Sequence, residues 1–156
     1  SGQRYNNREA GLTEIPIDIS LGVTAIDLSH NSITTLGPNA FRNFTELNVL
    51  HLNYNNISFI HDDAFEGVYK LHHLSLSHNQ LADFPVLPNM PKLSRLYLDN
   101  NNIRTIPDDA LDSQPDLSEL YLDSCNLTTM PDIRTLMKMG LRGLSIGNNP
   151  WICDCR

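Results

Sequence analysis

A chain of 156 residues with 40% hydrophobic content can build one continuous core, so a single domain is expected. Its formal net charge of −7, with no Lys/Arg-rich run, argues against nucleic acid and anionic membrane as main partners, because both reward clustered cations. No stretch of about 18 apolar residues occurs, so membrane contact is not expected, and no apolar leader stands at Ser1.

In chain order, the first element is a half-copy, "GLTEIPIDIS", after an irregular opening "SGQRYNNREA". From Val23 onward one pattern recurs six times, with apolar residues at its first, fourth and sixth positions and mostly Asn at its ninth. The copies begin at Val23, Leu47, Leu71, Leu93, Leu117 and Leu141, spaced 24, 24, 22, 24 and 24 residues apart. Alternation from the third to the seventh position is the signature of a short strand with one buried face. Such strands cannot fold singly. Stacked about 4.8 Å apart they form a parallel sheet, so the copies predict a solenoid. The ninth-position Asn sits where the chain turns away, and its amide can satisfy backbone groups inside the turn. Cys125 takes that slot in the fifth copy and reads as a buried structural thiol.

The second half of each copy returns along the outside. Leu36, Ile60, Phe84, Ile106 and Met130 form one expected buried column, and Phe41, Phe65 and Leu111 a second. These segments are too short for a helix of about ten residues, which predicts irregular or 3₁₀ turns there. The third copy, "FPVLPNMPK", is two residues short and should be extended.

These residues resemble the extracellular leucine-rich repeat family, of the 24-residue type, over residues 11 to 156. The fold that the resemblance implies is an α/β-type solenoid, a horseshoe with a concave parallel β-sheet and a mostly irregular or 3₁₀ convex side. The expected division is an N-terminal cap without cysteines at 1–22, five repeats over 23–140, and a last repeat at 141–156 running into a cysteine-rich cap. "NNPWICDCR" is similar to the start of such a cap in Slit-like proteins, Toll-type receptor ectodomains and variable lymphocyte receptors. The resemblance implies that Cys153 and Cys155 pair with cysteines further along. "GLTEIP" resembles the end of an N-terminal cap, but that cap usually carries a cysteine near the place of Asn7.

The candidate site is the concave face. Stacking aligns equal positions of successive copies and brings together His51, Tyr54, His73, Arg95, Tyr97, Asp99, Glu119, Tyr121 and Asp123. Large polar-aromatic side chains on a rigid curved surface suit a protein ligand, with a glycan as the other candidate. The resemblance implies an innate-immune or adhesion role, secreted or at the cell surface. The alternative is self-association through a sheet edge or solenoid end, giving a homodimer.

Asp99 and Asp123 occupy the seventh position of consecutive copies and should stand about 5 Å apart. A glycosidase-like carboxylate pair would have that spacing, but an open face supplies no cleft, so no enzyme is expected. The histidines raise metal binding or pH sensitivity, yet no helical HxxxH or Cys/His cage accompanies them, and neither metal nor cofactor is expected. Asn43, Asn56 and Asn126 head N-glycosylation sequons.

Overall fold

The computed structural model describes residues 2–152 apart from 131–133, 135 and 137–139. Seven strands form one parallel sheet: β1 (Gln3–Asn6), β2 (Val23–Asp27), β4 (Val49–His51), β6 (His73–Ser75), β7 (Arg95–Tyr97), β8 (Glu119–Tyr121) and β9 (Gly143–Ser145). Two further strands, β3 (Thr35–Leu36) and β5 (Phe59–Ile60), pair on the opposite wall.

The register is the one the repeat dictates. Ile26, Leu50, Leu74, Leu96 and Leu120 lie opposite one another in turn. They are buried, as are the sixth-position leucines Leu28, Leu52, Leu76, Leu98 and Leu122. Each rung therefore stacks its apolar side chains on the next, and one core runs the length of the coil.

Two apolar positions depart from the expected columns. Met130 is 37% exposed rather than buried, at the end of the stretch where the convex wall is continuously described. Leu144 is 39% exposed on β9, whose neighbour among the described strands is β8.

The asparagine ladder ties each turn to the one before it. Asn55 Nδ2 donates to Leu28 O at 3.0 Å and Leu52 O at 3.1 Å, while its Oδ1 accepts from Ile33 N at 3.0 Å. Asn79 and Asn101 repeat this arrangement one turn further on each time, and Asn149 repeats it two turns beyond Asn101. One side chain thus serves backbone groups of two rungs; successive asparagines share the carbonyls, while the N–H it accepts from would otherwise be buried unpaired at about 1–3 kcal/mol. At Cys125 the thiol donates to Leu98 O at 3.3 Å, and the residue is only 5% exposed.

The convex wall through residue 130 is built from turns, with N–H to O=C bonds spanning three residues such as Arg42 to Asn39 and Glu66 to Asp63. Inside it, Phe41 stacks on Phe65 with ring centroids 5.9 Å apart. Gly67 packs against Arg42 with φ +91°, where an added Cβ would stand 2.5 Å from Arg42 O.

The strand β1 lies outside the expected phased copies. Tyr5 pairs opposite Ile26, and Asn7 N and Glu9 N continue the ladder to Asp27 O and Ser29 O. The opening segment is therefore a rung in its own right, with Tyr5 and Asn7 in the apolar slots.

Candidate functional site

Each strand exits through a left-handed residue at the eighth position of its copy. Glu9, His30, Tyr54, His78, Asn100, Ser124 and Asn148 all have φ between 51° and 57°. Glycine is the usual occupant of this region, and a bulky side chain there is uncommon. The side chains repay attention for that reason: His30 stacks on Tyr54 at 4.4 Å, and Tyr54 on His78 at 4.1 Å, with planes within 11° of parallel.

A second row of rings crosses the strands themselves. His51 meets His73 edge-on at 5.0 Å, His73 meets Tyr97 edge-on at 4.9 Å, and Tyr97 stacks on Tyr121 at 4.5 Å. Parallel pairing places these residues on adjacent rungs, so the aromatic contact follows from register.

Charged groups flank the second row. Tyr97 donates its hydroxyl to Glu119 Oε2 at 2.8 Å, and Arg95 Nε lies 3.6 Å from that oxygen. Burial, the hydrogen bond to Glu119 and its negative charge push the Tyr97 phenol up to about 12. His73 is held down to about 4, first by burial and then by the neighbouring His51 and Arg95. Both effects favour the neutral ring. Burial likewise raises the Cys125 thiol.

The carboxylates Asp99 and Asp123 are each engaged within the sheet. Ser77 Oγ and Asn100 Nδ2 donate to Asp99, and Ser145 Oγ and Gly147 N donate to Asp123, both at 2.8 Å in the latter case. Asp27 is similarly closed by Ser29. Paired donors of this kind hold the two acids in fixed orientations on the open face. Among the described residues, no group of three or more His, Cys, Asp or Glu is arranged to hold a metal ion.

Ring contacts and the Tyr97–Glu119 hydrogen bond join six of the nine expected concave residues to one another or to the ring rows, and Arg95 joins them through its ion pair with Glu119. His30 and His78 belong with Tyr54, an association legible only in the recurrence of large residues at the eighth position.

Family models for leucine-rich repeats match residues 22–81 and, as two copies, residues 70–113. This chain is a leucine-rich repeat protein. No curated protein matches it in sequence. Among solved structures, the leucine-rich repeats superpose on TLR13, determined in complex with ssRNA13, with TM-score 0.80 and 27% identity. That match covers 92% of this chain and 21% of TLR13, so the chain spans about a fifth of its length. Human 5T4 (Wnt-activated inhibitory factor 1, trophoblast glycoprotein) has the same fold, with TM-score 0.67 and 24% identity over 95% of this chain and 68% of that one.

The sequon asparagines lie away from the ring rows on these leucine-rich repeats. Asn43 is exposed in a convex turn, and Asn56 and Asn126 are exposed at tenth positions on one flank. Asn126 Nδ2 donates to Asn102 Oδ1 at 3.4 Å. Cys153 and Cys155 lie outside the described residues.

Proposed function

We propose that this chain is an extracellular recognition module that binds a protein ligand on its concave face, as part of a secreted or cell-surface receptor. The carrying observation is the continuous row His51–His73–Tyr97–Tyr121 on a sheet whose rungs are locked together from below. Aromatic rings held by their neighbours lose little entropy when a partner covers them, which is the property of interface hot spots. The leucine-rich repeat family membership supports a protein-interaction role.

The proposed organisation is a cap over 1–22, repeats over 23–140 and a last repeat entering a cysteine-rich cap over 141–156. Sugars on Asn43, Asn56 and Asn126 and disulfides from Cys153 and Cys155 belong to the same extracellular reading. Binding without turnover is the proposed role, and an innate-immune or adhesion setting is its biological form.

A protein ligand is favoured over single-stranded RNA. Stacked tyrosines can receive bases, and TLR13 was solved with ssRNA. Nucleic acid nevertheless draws most of its affinity from cationic contacts with phosphate, and this chain carries a net charge of −7 with Asp99, Glu119 and Asp123 beside the rings.

The test is a binding screen of extracellular proteins with the chain as bait, repeated with Tyr97→Ala, Tyr121→Ala and the exposed convex variant Phe59→Ser. Loss of a partner by about tenfold or more in both tyrosine variants, with Phe59→Ser unchanged, supports the reading. A partner indifferent to the tyrosines, or RNA binding with a steep salt dependence, overturns it.

A further inference from the structure

On the convex side, away from the ring rows, the segment entering β2 leaves its apolar side chains bare. Ile17 is 104% exposed and Leu21 is 59% exposed, whereas Ile19 between them is buried. Together with Phe44 they line an open groove of about 520 Å³. That size falls within the range that accommodates a small ligand. Its lining is mixed, with Glu14, Thr35, Asn39 and Asn43 beside the apolar side chains.

The rim of this groove contains Asn43, first residue of the sequon Asn43-Phe44-Thr45. Asn43 and Thr45 are both exposed, and Phe44, the residue between them, is itself part of the groove lining. The sequon at Asn126 has polar neighbours: Asn126 contacts Asn102, which in turn contacts Gln80, along the tenth-position column that also contains Asn56. Asn43 is itself a lining residue of the groove.

We propose that an N-linked glycan on Asn43 folds back onto the chain and covers the Ile17–Leu21 groove. The linkage forms when Asn43 Nδ2 attacks C1 of the first N-acetylglucosamine of a polyprenyl-diphosphate-linked oligosaccharide. The new N–C1 bond replaces the C1–O bond to the diphosphate, which departs with the electron pair while the amide nitrogen gives up one proton. The attached sugar is then tethered at the groove's edge, at an effective concentration of the order of millimolar, so weak contacts suffice to keep it seated. The apolar faces of its first rings and its acetyl methyl groups lie on Ile17 and Leu21, and Glu14, Thr35 and Asn39 at the margin offer hydrogen bonds to its hydroxyls.

This inference rests on the extracellular setting and the Asn43 sugar of the proposed function, and the experiment separates it from binding on the concave face. The chain is produced through a eukaryotic secretory pathway, and occupancy of Asn43, Asn56 and Asn126 is read by mass spectrometry of glycopeptides. Parent, Asn43→Gln, Thr45→Ala and Asn56→Gln proteins are compared for binding of a hydrophobic fluorescent dye and for amide exchange over residues 14–21. The folded parent is also deglycosylated enzymatically, so that loss of the sugar is separated from any folding defect of a variant.

The expected result is an occupied Asn43, and a several-fold rise in dye binding with faster exchange over 14–21 in Asn43→Gln, in Thr45→Ala and after deglycosylation. Asn56→Gln should match the parent, and adding Ile17→Ser to Asn43→Gln should return dye binding to the parent level. Occupied Asn56 with bare Asn43 overturns this inference and leaves the extracellular setting standing; three bare sequons overturn both. An occupied Asn43 whose removal changes neither readout overturns it as well. So does a dimer of the glycosylated protein that Ile17→Ser abolishes, because the groove would then receive a second copy.

Discussion

The Tyr97 hydroxyl and the Glu119 carboxylate share a hydrogen bond of 2.8 Å between adjacent rungs, beneath the stacked face of Tyr121. The acceptor comes from the third position of one copy and the donor from the fifth position of the previous one. Neither residue alone marks the contact.

Glu119 is a main reason that the Tyr97 phenol is raised to about 12. Replacing it by Gln removes the negative charge and weakens the hydrogen bond, so Tyr97 should ionise closer to its ordinary value of about 10. An ultraviolet absorbance titration of the parent, Glu119→Gln and Tyr97→Phe should show one tyrosine moving down in the first variant and vanishing from the high-pH range in the second. In the parent, the neutral Tyr97 is favoured by folding, so its stabilising influence weakens as pH rises from about 10 toward 12.

His73 predicts an acid-side effect of definite sign. Its pKa is lowered to about 4 from 6.5, so the folded chain binds fewer protons than the unfolded chain between these values. Stability is full above the unfolded value and declines as pH falls from about 6.5 toward 4. Solvent screening of this partly exposed ring reduces the full linkage to about 1–2 kcal/mol. Chemical denaturation at pH 7 and pH 4.5 should show that loss in the parent. His73→Phe should remove this part of the pH dependence while keeping an edge-on ring between His51 and Tyr97.

Cys125→Asn should stabilise the chain. The five neighbouring asparagines of the ladder each bridge several backbone groups, while the thiol makes one bond to Leu98 O. Restoring the amide should add about 1 kcal/mol, or about 2–4 °C in melting temperature for a chain of this size. In the parent, buried Cys125 with its raised pKa should resist alkylation until denaturant is added.

Asn79→Ala should do the reverse. It strips Ile57 N of its partner and removes one of the two asparagine donors from each of Leu52 O and Leu76 O, at a site that is 3% exposed. A loss of about 2–4 kcal/mol is expected in equilibrium denaturation, with amide exchange rising first in the two rungs that the side chain joins.

Much of this architecture was written in the chain. The leucines at Leu50, Leu74 and Leu96 specify both the inward face and the register, because a one-residue slip would turn every one of them to solvent. The concave membership of Tyr97, Tyr121, His51 and His73 followed from the same count. The rung at Gln3–Asn6 did not, since Tyr5 and Asn7 stand where leucines mark the others. The shielding of His73 was also hidden, because it is produced by rings on the rungs either side of it. The left-handed exit at the eighth position carries no glycine to announce it, and only the seven-fold recurrence of the angle in space exposes the rule. Met130 shows the opposite failure: it has the right spacing for the core and lies outside it.

The outer wall is stitched unevenly along its length. The strand pair β3–β5 and the Phe41–Phe65 stack fasten the first two turns to each other, while the next outer segment, from Phe84 to Met90, is an extended proline-bearing stretch outside both. In a fold where each turn leans only on its neighbours, that stretch is tied to the following outer segment by hydrogen bonds instead, Met90 N to Ser113 O and Gln114 Nε2 to Pro88 O. A ligand clasping Tyr97 and Tyr121 would clamp the fourth and fifth turns, which lie beyond the fastened first pair.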